Sequence, residues 1–309
     1  MRVEPTSAHL RANRLKSLGI HRVRSSGGGN VAGVIRILRR GDEEALEAFL
    51  APRAETSMFL RANSRAAGFE DRGEPMQATY AAAFEADTIV AVAAHCWNGV
   101  LLIQAPRHAG EVAHAAIDAS GRRLTGIIGP VDQVRATRDV LALVNPRMDD
   151  ADDLYSLDLA ALRVPDQLER LSFRRPRESE LPLLFAWREQ YLVETKLAAP
   201  GSRLREEARS GIELSHLQHA HWVLQAGKKL VAYTAFNARL PDIVQVGGVW
   251  TPPDLRGRGY GRCAVAASLL QARAEGARRA ILFTSNASGA RAYEALGFVR
   301  TGGFGLLFV

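Results

Sequence analysis

The sequence predicts an α+β fold made of two units whose helices and strands follow the same order. Each half of the chain shows a strand, two helices, three strands, a helix, a strand and a helix, judged from hydrophobic periods of 2 and 3.6 residues. Apolar segments at residues 89–93 and 230–235 occupy matching places in the two halves. Residues 145–168, between the halves, combine prolines with an acidic run, as domain boundaries often do. A tandem duplication therefore accounts for the pattern.

The first half begins with a strand at 34–38 and a helix that Asp42 opens, with acidic residues in its first turn. The other predicted elements of this half are a helix at 55–66, strands at 76–84, 88–95 and 99–104, a helix at 109–119, a strand at 124–128 and a helix at 132–143.

The second half follows a short strand predicted at 154–159. Its elements are a strand at 171–175, helices at 180–195 and 204–217, strands at 221–225, 229–237 and 243–251, a helix at 261–275, a strand at 280–284, a helix at 288–296 and a strand at 304–308. Four segments are expected from this order: a flexible basic tail at 1–30, a domain at 31–150, a linker at 151–168 and a domain at 169–309.

The composition is that of a globular protein, with 309 residues, 47% of them hydrophobic and 24% charged. No stretch approaches 18 uninterrupted apolar residues, and the basic N-terminus lacks an apolar signal core, so a cytoplasmic protein without a membrane span is expected. Cys96 and Cys263 lie in apolar runs, which predicts buried thiols rather than a disulfide or a metal site.

The net charge of +7 is compatible with nucleic acid or with an anionic small molecule as partner. One basic group lies in the first 30 residues, where it indicates a solvated tail or a nucleic-acid arm. A second group, Arg256, Arg258 and Arg262, surrounds a glycine-rich loop. The position of this second group favours a ligand rich in phosphate over nucleic acid.

That loop follows a strand, which Pro252 and Pro253 end, and leads into a helix. Gly257, Gly259 and Gly261 permit positive φ and carry no Cβ, so backbone N–H groups can converge on an anion at the helix N-terminus. The spacing excludes other phosphate loops: there is no Gly-Lys-Ser/Thr as a P-loop requires, and an arginine stands at the third glycine of the dinucleotide fingerprint. A simple tight turn is the alternative.

Two linked motifs resemble the GNAT superfamily of acyl-CoA-dependent N-acyltransferases. Arg256, Gly259 and Gly261 match the phosphate loop of that family, and Asn286, Tyr293 and the run Leu296-Gly297-Phe298 match its second motif in spacing and order. The resemblance covers the chain from residue 171 onward. At the corresponding place in the first half, residues 105–111 lack the glycine loop, so a degenerate N-terminal GNAT-like unit beside a complete C-terminal one is expected.

The resemblance implies acetyl-CoA as cofactor and an amine as acceptor. The residues it assigns to the cofactor are Val249, Trp250, Thr251, Arg256, Gly257, Arg258, Gly259, Tyr260, Gly261, Arg262 and Asn286. A backbone N–H of Val249 or Trp250 would polarise the thioester carbonyl, and Tyr293 would be the acid that protonates the thiolate. The alternatives are a packing role for the Tyr293 ring and a helix cap for Asn286.

No general base follows from the sequence, because Gln245 occupies the position where many relatives have glutamate. A water chain or another residue must serve. His216, His219 and His221 could supply a base or a metal pair, although surface and strand histidines explain the spacing equally, and no metal is expected.

The sequence thus predicts an N-acetyltransferase that acts on a small amine or on a protein amino group. Two alternatives stay open: an acyl-CoA-binding sensor without turnover, and a nucleic-acid module that uses the basic tail. The N-terminal half could line the acceptor pocket, form a homodimer surface or pack as a degenerate duplicate. Acyl groups longer than acetyl are not excluded.

Overall fold

The computed structural model describes residues 21–22, 34–198, 200–201 and 203–309. Apart from His21 and Arg22, the predicted basic tail lies outside the described residues. The chain forms two compact units: unit 1 comprises the described part of Met1–Ala151 together with Phe304–Val309, and unit 2 comprises Asp152–Gly303.

The helices and strands in chain order are β1 (His21–Arg22), β2 (Val34–Ile37), α1 (Glu43–Leu50), α2 (Ala54–Ala67), β3 (Ala78–Glu85), β4 (Thr88–Cys96), β5 (Val100–Gln104), α3 (Ala109–Ser120), β6 (Gly126–Pro130), α4 (Val131–Val140), β7 (Met148–Asp158), β8 (Ser172–Arg174), α5 (Leu181–Glu194), α6 (Leu204–Leu217), β9 (His221–Ala226), β10 (Lys229–Arg239), β11 (Ile243–Trp250), α7 (Tyr260–Ala274), β12 (Arg279–Thr284), α8 (Ala287–Glu294) and β13 (Val299–Phe308).

Unit 1 contains a mixed sheet in which β1 to β5 pair as antiparallel neighbours. Strand β5 then pairs with β6 in parallel, and β6 pairs antiparallel with Phe304–Phe308 at the end of β13. The C-terminal residues of the chain therefore complete the sheet of unit 1. Gly126 permits this pairing, because a Cβ there would lie 2.5 Å from the carbonyl oxygen of Leu307.

The core of unit 1 depends on small residues. Ala81, Ala83 and Ala93 on the sheet, and Ala113 and Ala116 on α3, are fully buried. Small side chains on both surfaces let the helix approach the sheet closely, and the larger Ile103, Ile127 and Leu307 fill the remaining volume of the same cluster.

Unit 2 repeats the arrangement. Strands β8 to β11 are antiparallel neighbours, β11 pairs with β12 in parallel, and β12 pairs antiparallel with Asp153–Asp158 of β7. The predicted α+β class with two mixed, mostly antiparallel sheets is confirmed. Trp222 and Phe236 from the sheet and Val265 and Leu269 from α7 lie in its main core.

Strand β7 begins at Met148, earlier than the predicted strand at 154–159, so the acidic run is part of a strand. Its carboxylates tolerate this position because arginines neutralise them. Asp149 accepts from Arg138 at 2.6 Å, and Asp153 pairs with Arg300 at 2.7 Å. Strand β13 likewise begins at Val299 rather than at residue 304. The predicted linker 151–168 thus contains strand residues and two short 3-10 helices.

Both cysteines are free and buried, as predicted. Burial raises the pKa of the Cys96 thiol to about 12. None of the helices within the described ranges is both long and apolar enough to cross a membrane.

We expect Leu307→Ala to destabilise unit 1 by about 2–5 kcal/mol, because it removes a fully buried leucine and leaves a cavity. Urea unfolding would measure the loss, and hydrogen exchange should locate it at residues 126–130. Leu217→Ala is the control, since Leu217 is 77% exposed. Equal stability of the two variants would contradict the assignment of the C-terminal strand to this core.

Candidate active site

The candidate site begins where strands β11 and β12 part. They pair at only three positions, the last being Gln245 with Ile281. Strand β12 continues to Thr284 and there pairs with β7 on its other side. Residues 246–250 of β11 consequently have no partner in β12, which leaves backbone N–H and C=O groups of β11 facing a cleft inside unit 2.

A β-bulge lies in this unpaired part of β11. Tyr233 is opposite Trp250 and Ala235 is opposite Gly247, so Gly248 and Val249 together face a single residue of β10. Gly248 has φ +61, a conformation that favours glycine. Such a bulge removes one residue from the hydrogen-bond pattern. Tyr191 of α5 lies beside the bulge, where its ring contacts Trp250 edge to face with the ring centroids 6.4 Å apart.

The glycine loop follows as predicted, after a 3-10 turn at Pro253–Leu255. Gly257 and Gly259 have φ +75 and +78, and Gly259 is the N-cap of α7. A Cβ on Gly259 would lie 2.9 Å from Gln167 Oε1, and one on Gly261 would lie 3.2 Å from Thr251 Oγ1. The N-cap makes no side-chain hydrogen bond. The first N–H groups of α7 therefore offer an anion site at the positive end of a helix.

The three predicted arginines differ in what they contact. Nε of Arg262 is buried and has no hydrogen-bond partner in the part of the chain that the structure describes. Arg256 donates to Glu194 at 2.8 Å and to the Thr251 carbonyl at 3.0 Å, and Arg258 contacts only the Asp254 carbonyl, at 3.4 Å. Arg262 is thus the cation best placed for an anion at the helix N-terminus, whereas Arg256 braces the end of β11.

Tyr293 is half-buried on α8, and it packs against the same core as Val249. Burial raises its pKa, and the neighbouring Tyr191 raises it further, so the phenol keeps its proton at neutral pH. Asn286 caps α8: its Oδ1 accepts from the N–H groups of Ser288 at 2.8 Å and Gly289 at 3.0 Å. The cap fixes the helix that carries Tyr293.

Three residues at the bulge were missed in the sequence: Arg188, Tyr191 and Tyr233. Arg188 lies over the Tyr191 ring at 4.8 Å, and its Nη1 is 3.4 Å from where a Cβ of Gly248 would be. Arg188 and Tyr191 are three residues apart on one predicted helix and therefore share a face, which is the signal that the sequence offers for these two. Burial raises the pKa of Tyr233 to about 12. Tyr191, Tyr233 and Tyr293 therefore remain neutral hydrogen-bond donors.

Gln245 marks the end of the paired part of β11. Its side chain is 1% exposed, and Nε2 has no partner among the described residues. An amide cannot take a proton at neutral pH, so Gln245 can orient a ligand but cannot act as a base.

Two of the three noted histidines come together. His221 is buried on β9, and its Nε2 lies 3.1 Å from His216 Nδ1, while the exposed His219 stays outside this contact. Within the described ranges no three His, Cys, Asp or Glu side chains are placed to hold a metal ion. Burial, followed by the charges of His216, Arg175 and His219, lowers the pKa of His221 to about 3.

The corresponding loop of unit 1 shows different chemistry. His108 is the N-cap of α3 with φ +56, the position that Gly259 holds in unit 2. Its ring contacts Glu85 at 3.2 Å and Glu111 at 3.3 Å, and Arg107 pairs with Glu85 at 3.0 Å. The carboxylates of Glu85 and Glu111 are therefore already in contact with the basic side chains of this loop.

Comparison with known proteins gives one family match: residues 181–298 match the model of the Acetyltransferase (GNAT) family. No curated protein sequence matches the chain. Similar solved structures include a Drosophila protein, with 12% identity and a TM-score of 0.60 over 91% of this chain and 99% of that one. A tandem GNAT protein from the clavulanic acid biosynthesis pathway has 16% identity and a TM-score of 0.53 over 89% and 97%.

A third solved structure is a GCN5-related glucosamine N-acetyltransferase region in a fungal multi-domain GH3 β-N-acetylglucosaminidase. It has 14% identity and a TM-score of 0.54 over 91% of this chain. The present chain spans only 39% of the length of that fungal protein.

The fold is that of a tandem GNAT protein, with two units of the same topology. Within it, residues 181–298 are a GNAT acetyltransferase domain, and the resemblance seen in the two sequence motifs is confirmed. The family that this domain matches indicates acyl transfer from an acyl-CoA to an amine.

We expect acidification to destabilise the protein partly through His221. Because its pKa is about 3 in the folded protein and near 6.5 when unfolded, its contribution to the free energy of unfolding is complete above pH 6.5. That contribution declines as the pH falls from 6.5 towards 3, because only the unfolded chain binds the proton.

The measurement is urea unfolding of the protein and of His221→Gln at several values between pH 4 and 7. The stability difference should shrink on acidification, while His219→Gln should follow the parent at every pH. Parallel curves for the parent and His221→Gln would contradict the expectation.

Proposed function

We propose that the protein is an acetyl-CoA-dependent N-acetyltransferase that acts on an amine. The observation that carries the proposal is the parting of β11 and β12 beside the bulge at Gly248, directly before the glycine loop. It places unpaired backbone, an anion-binding helix N-terminus and buried phenols within one cleft.

The residues present fit acetyl-CoA. The backbone groups of Val249 and Trp250 that point to the β12 side have no partner in β12 and could bind the amides of pantetheine. Thr251 could add its N–H, since its carbonyl already accepts from Arg256 at 3.0 Å. The first N–H groups of α7 suit the pyrophosphate, as does the guanidinium of Arg262, whose Nε has no partner among the described residues. Gly257 has no heavy atom within 4 Å of a Cβ position. When bound, acetyl-CoA supplies an activated thioester.

The chain itself supplies polarisation and a proton. A backbone N–H at Val249 or Trp250 hydrogen-bonds the oxygen on which negative charge develops. Tyr293 donates a proton or a strong hydrogen bond to the departing sulfur, since its phenol is neutral at working pH. In the corresponding loop of unit 1, Arg107 and His108 already contact Glu85 and Glu111, so we do not expect this loop to bind acetyl-CoA in the same way.

A second candidate function is an acyl-CoA-binding sensor without turnover. Gln245 favours it, because the buried amide stands where a basic carboxylate would serve catalysis. The two functions share the cofactor site and differ in whether an amine is acetylated.

We expect Gly259→Trp to weaken acetyl-CoA binding on the order of 100-fold or more, because a side chain at φ +78 strains the loop and meets Gln167. Calorimetric titration with acetyl-CoA, coenzyme A and ATP would show binding of the first two alone. Gly227→Trp is the matched control: its φ is +59, and no heavy atom lies within 4 Å of its Cβ position. Unchanged affinity in Gly259→Trp would refute the cofactor assignment.

We expect Tyr293→Phe to lower kcat by about 10²- to 10⁴-fold while acetyl-CoA affinity stays the same, because only the acid is removed. Steady-state kinetics with the amine that the parent acetylates fastest would test this. Tyr155→Phe serves as control: it also removes a phenol hydroxyl, one that contacts Glu294 at 3.4 Å and has no part in the proposed reaction. A parent that binds acetyl-CoA yet acetylates no amine would instead support the sensor.

A further inference from the structure

A continuous series of hydrogen-bonding side chains leads from the protein surface towards the bulge in β11. Glu178 Oε1 lies 3.1 Å from His216 Nε2, and His216 Nδ1 lies 3.1 Å from His221 Nε2. His221 Nδ1 then lies 3.2 Å from the Tyr233 hydroxyl. The Glu178 side chain is 83% exposed, whereas His221 is buried, so the series connects solvent with the interior.

Tyr233 joins this series to the candidate site. Tyr233 on β10 is paired with Trp250 on β11, and its Cε1 lies 3.4 Å from the position that a Cβ of Gly248 would take. Because Cε1 neighbours the carbon that bears the hydroxyl, the phenol oxygen lies near the bulge as well as near His221. The charge of Arg188 and the Tyr191 phenol also act on Tyr233.

The hydrogen bonds can all point outward. With each imidazole neutral and protonated on Nε2, Tyr233 donates to His221 Nδ1, His221 donates to His216 Nδ1, and His216 donates to Glu178. Each ring then accepts on one side and donates on the other. The Tyr233 hydroxyl also contacts Ser215, whose own hydroxyl donates to the Gly211 carbonyl at 2.8 Å.

The groups around His221 keep it neutral. Burial disfavours its protonated form most, followed by the charges of His216 from α6, of Arg175 and of the exposed His219. A ring that does not retain a proton can still transfer one, because it gains a proton on Nδ1 as it loses the one on Nε2.

We propose, on the basis of the proposed function, that Tyr233, His221 and His216 are the base of the reaction and act as a proton relay to Glu178. An N–H bond of the acceptor ammonium breaks, its proton passes to the Tyr233 oxygen, and the freed electron pair on nitrogen attacks the thioester carbonyl. The N–C bond forms and the C–S bond breaks; the sulfur takes the Tyr293 proton, and a second proton from the nitrogen replaces it on Tyr293. The Tyr233 proton moves to His221 Nδ1, the His221 Nε2 proton to His216 Nδ1, and the His216 Nε2 proton to Glu178 and water. The relay supplies the base that Gln245 cannot provide.

The relay is tested by the pH dependence of kcat/KM with the amine that the parent acetylates fastest. Tyr233→Phe keeps the packed ring and removes the hydroxyl, and we expect kcat/KM to fall by about 10²-fold at pH 7. The deficit should shrink as the pH rises above the pKa of the amine, which then arrives already deprotonated. Acetyl-CoA affinity should be unchanged.

His216→Asn, at a partly exposed position, should show the same pH-dependent deficit without disturbing the core. His219→Asn is the matched control, and we expect parental kinetics from it, since His219 lies outside the series and asparagine tolerates its φ of +50. A deficit in Tyr233→Phe that is equal at every pH would overturn the relay while leaving the acetyltransferase assignment intact. A parent that acetylates no amine would overturn both.

Nitrogen-15 NMR of the histidines gives a readout that does not depend on turnover. The relay requires His221 to carry its proton on Nε2 at pH 7 and to remain neutral from pH 5 to 9. A proton on Nδ1, or titration within that range, would overturn the direction of transfer.

Discussion

The early end of hydrogen bonding between β11 and β12 positions every group of the candidate site. Beyond Gln245 and Ile281 the two strands separate, and each then follows a different neighbour: β11 stays with β10, and β12 stays with β7. Unpaired backbone is costly when it is buried without water or a ligand. The cleft therefore concentrates unsatisfied polar groups at one place in the core, which is what a site for an extended, amide-containing ligand requires.

The bulge at Gly248 links this cleft to the helices above it. It turns β11 so that its last residues lead into the loop and the N-terminus of α7, and the ring of Tyr191 packs edge to face on Trp250 beside it. Around it, burial keeps the phenols of Tyr191, Tyr233 and Tyr293 protonated. The site is consequently rich in neutral donors. Among the carboxylates nearby, Glu194 binds Arg256, and Glu178 at the surface is linked to Tyr233 through two imidazoles.

Local sequence signals predicted much of this site, because the chemistry of a loop or a cap is written in adjacent residues. Gly257 and Gly259 adopt the positive φ that their spacing suggested, and Asn286 caps the helix that it precedes. The residues at the bulge could not be found in that way. Tyr233 meets His221 only through the register of β9 and β10, and His216 reaches both from a helix.

The same limit applies to the sheet edges. Periodicity predicts a strand at the C-terminus, but its pairing with β6 joins residues 304–308 to residues 126–130, which are far apart in sequence. The acidic run at 149–153 falls within the predicted domain boundary at 145–168, and its arginine partners, Arg138 and Arg300, lie outside that segment. Long-range partners decided each of these features.

The two units share a topology but differ in the side chains around the loop that leads into the helix. Both have one parallel pair of strands joined by a helix whose N-cap has positive φ. In unit 2, β11 continues to Trp250 after its last pair with β12, at Gln245. In unit 1, however, β5 ends at Gln104 after its last pair with β6, at Leu102, and a Cβ on Gly129 would collide with the Ile103 carbonyl, so these two strands stay close. Its loop cations are bound by Glu85 and Glu111, whereas the Arg262 Nε of unit 2 has no partner among the described residues. The shared topology thus provides a helix N-terminus in each unit, and strand separation together with an unoccupied cation makes only one of them suited to a polyphosphate.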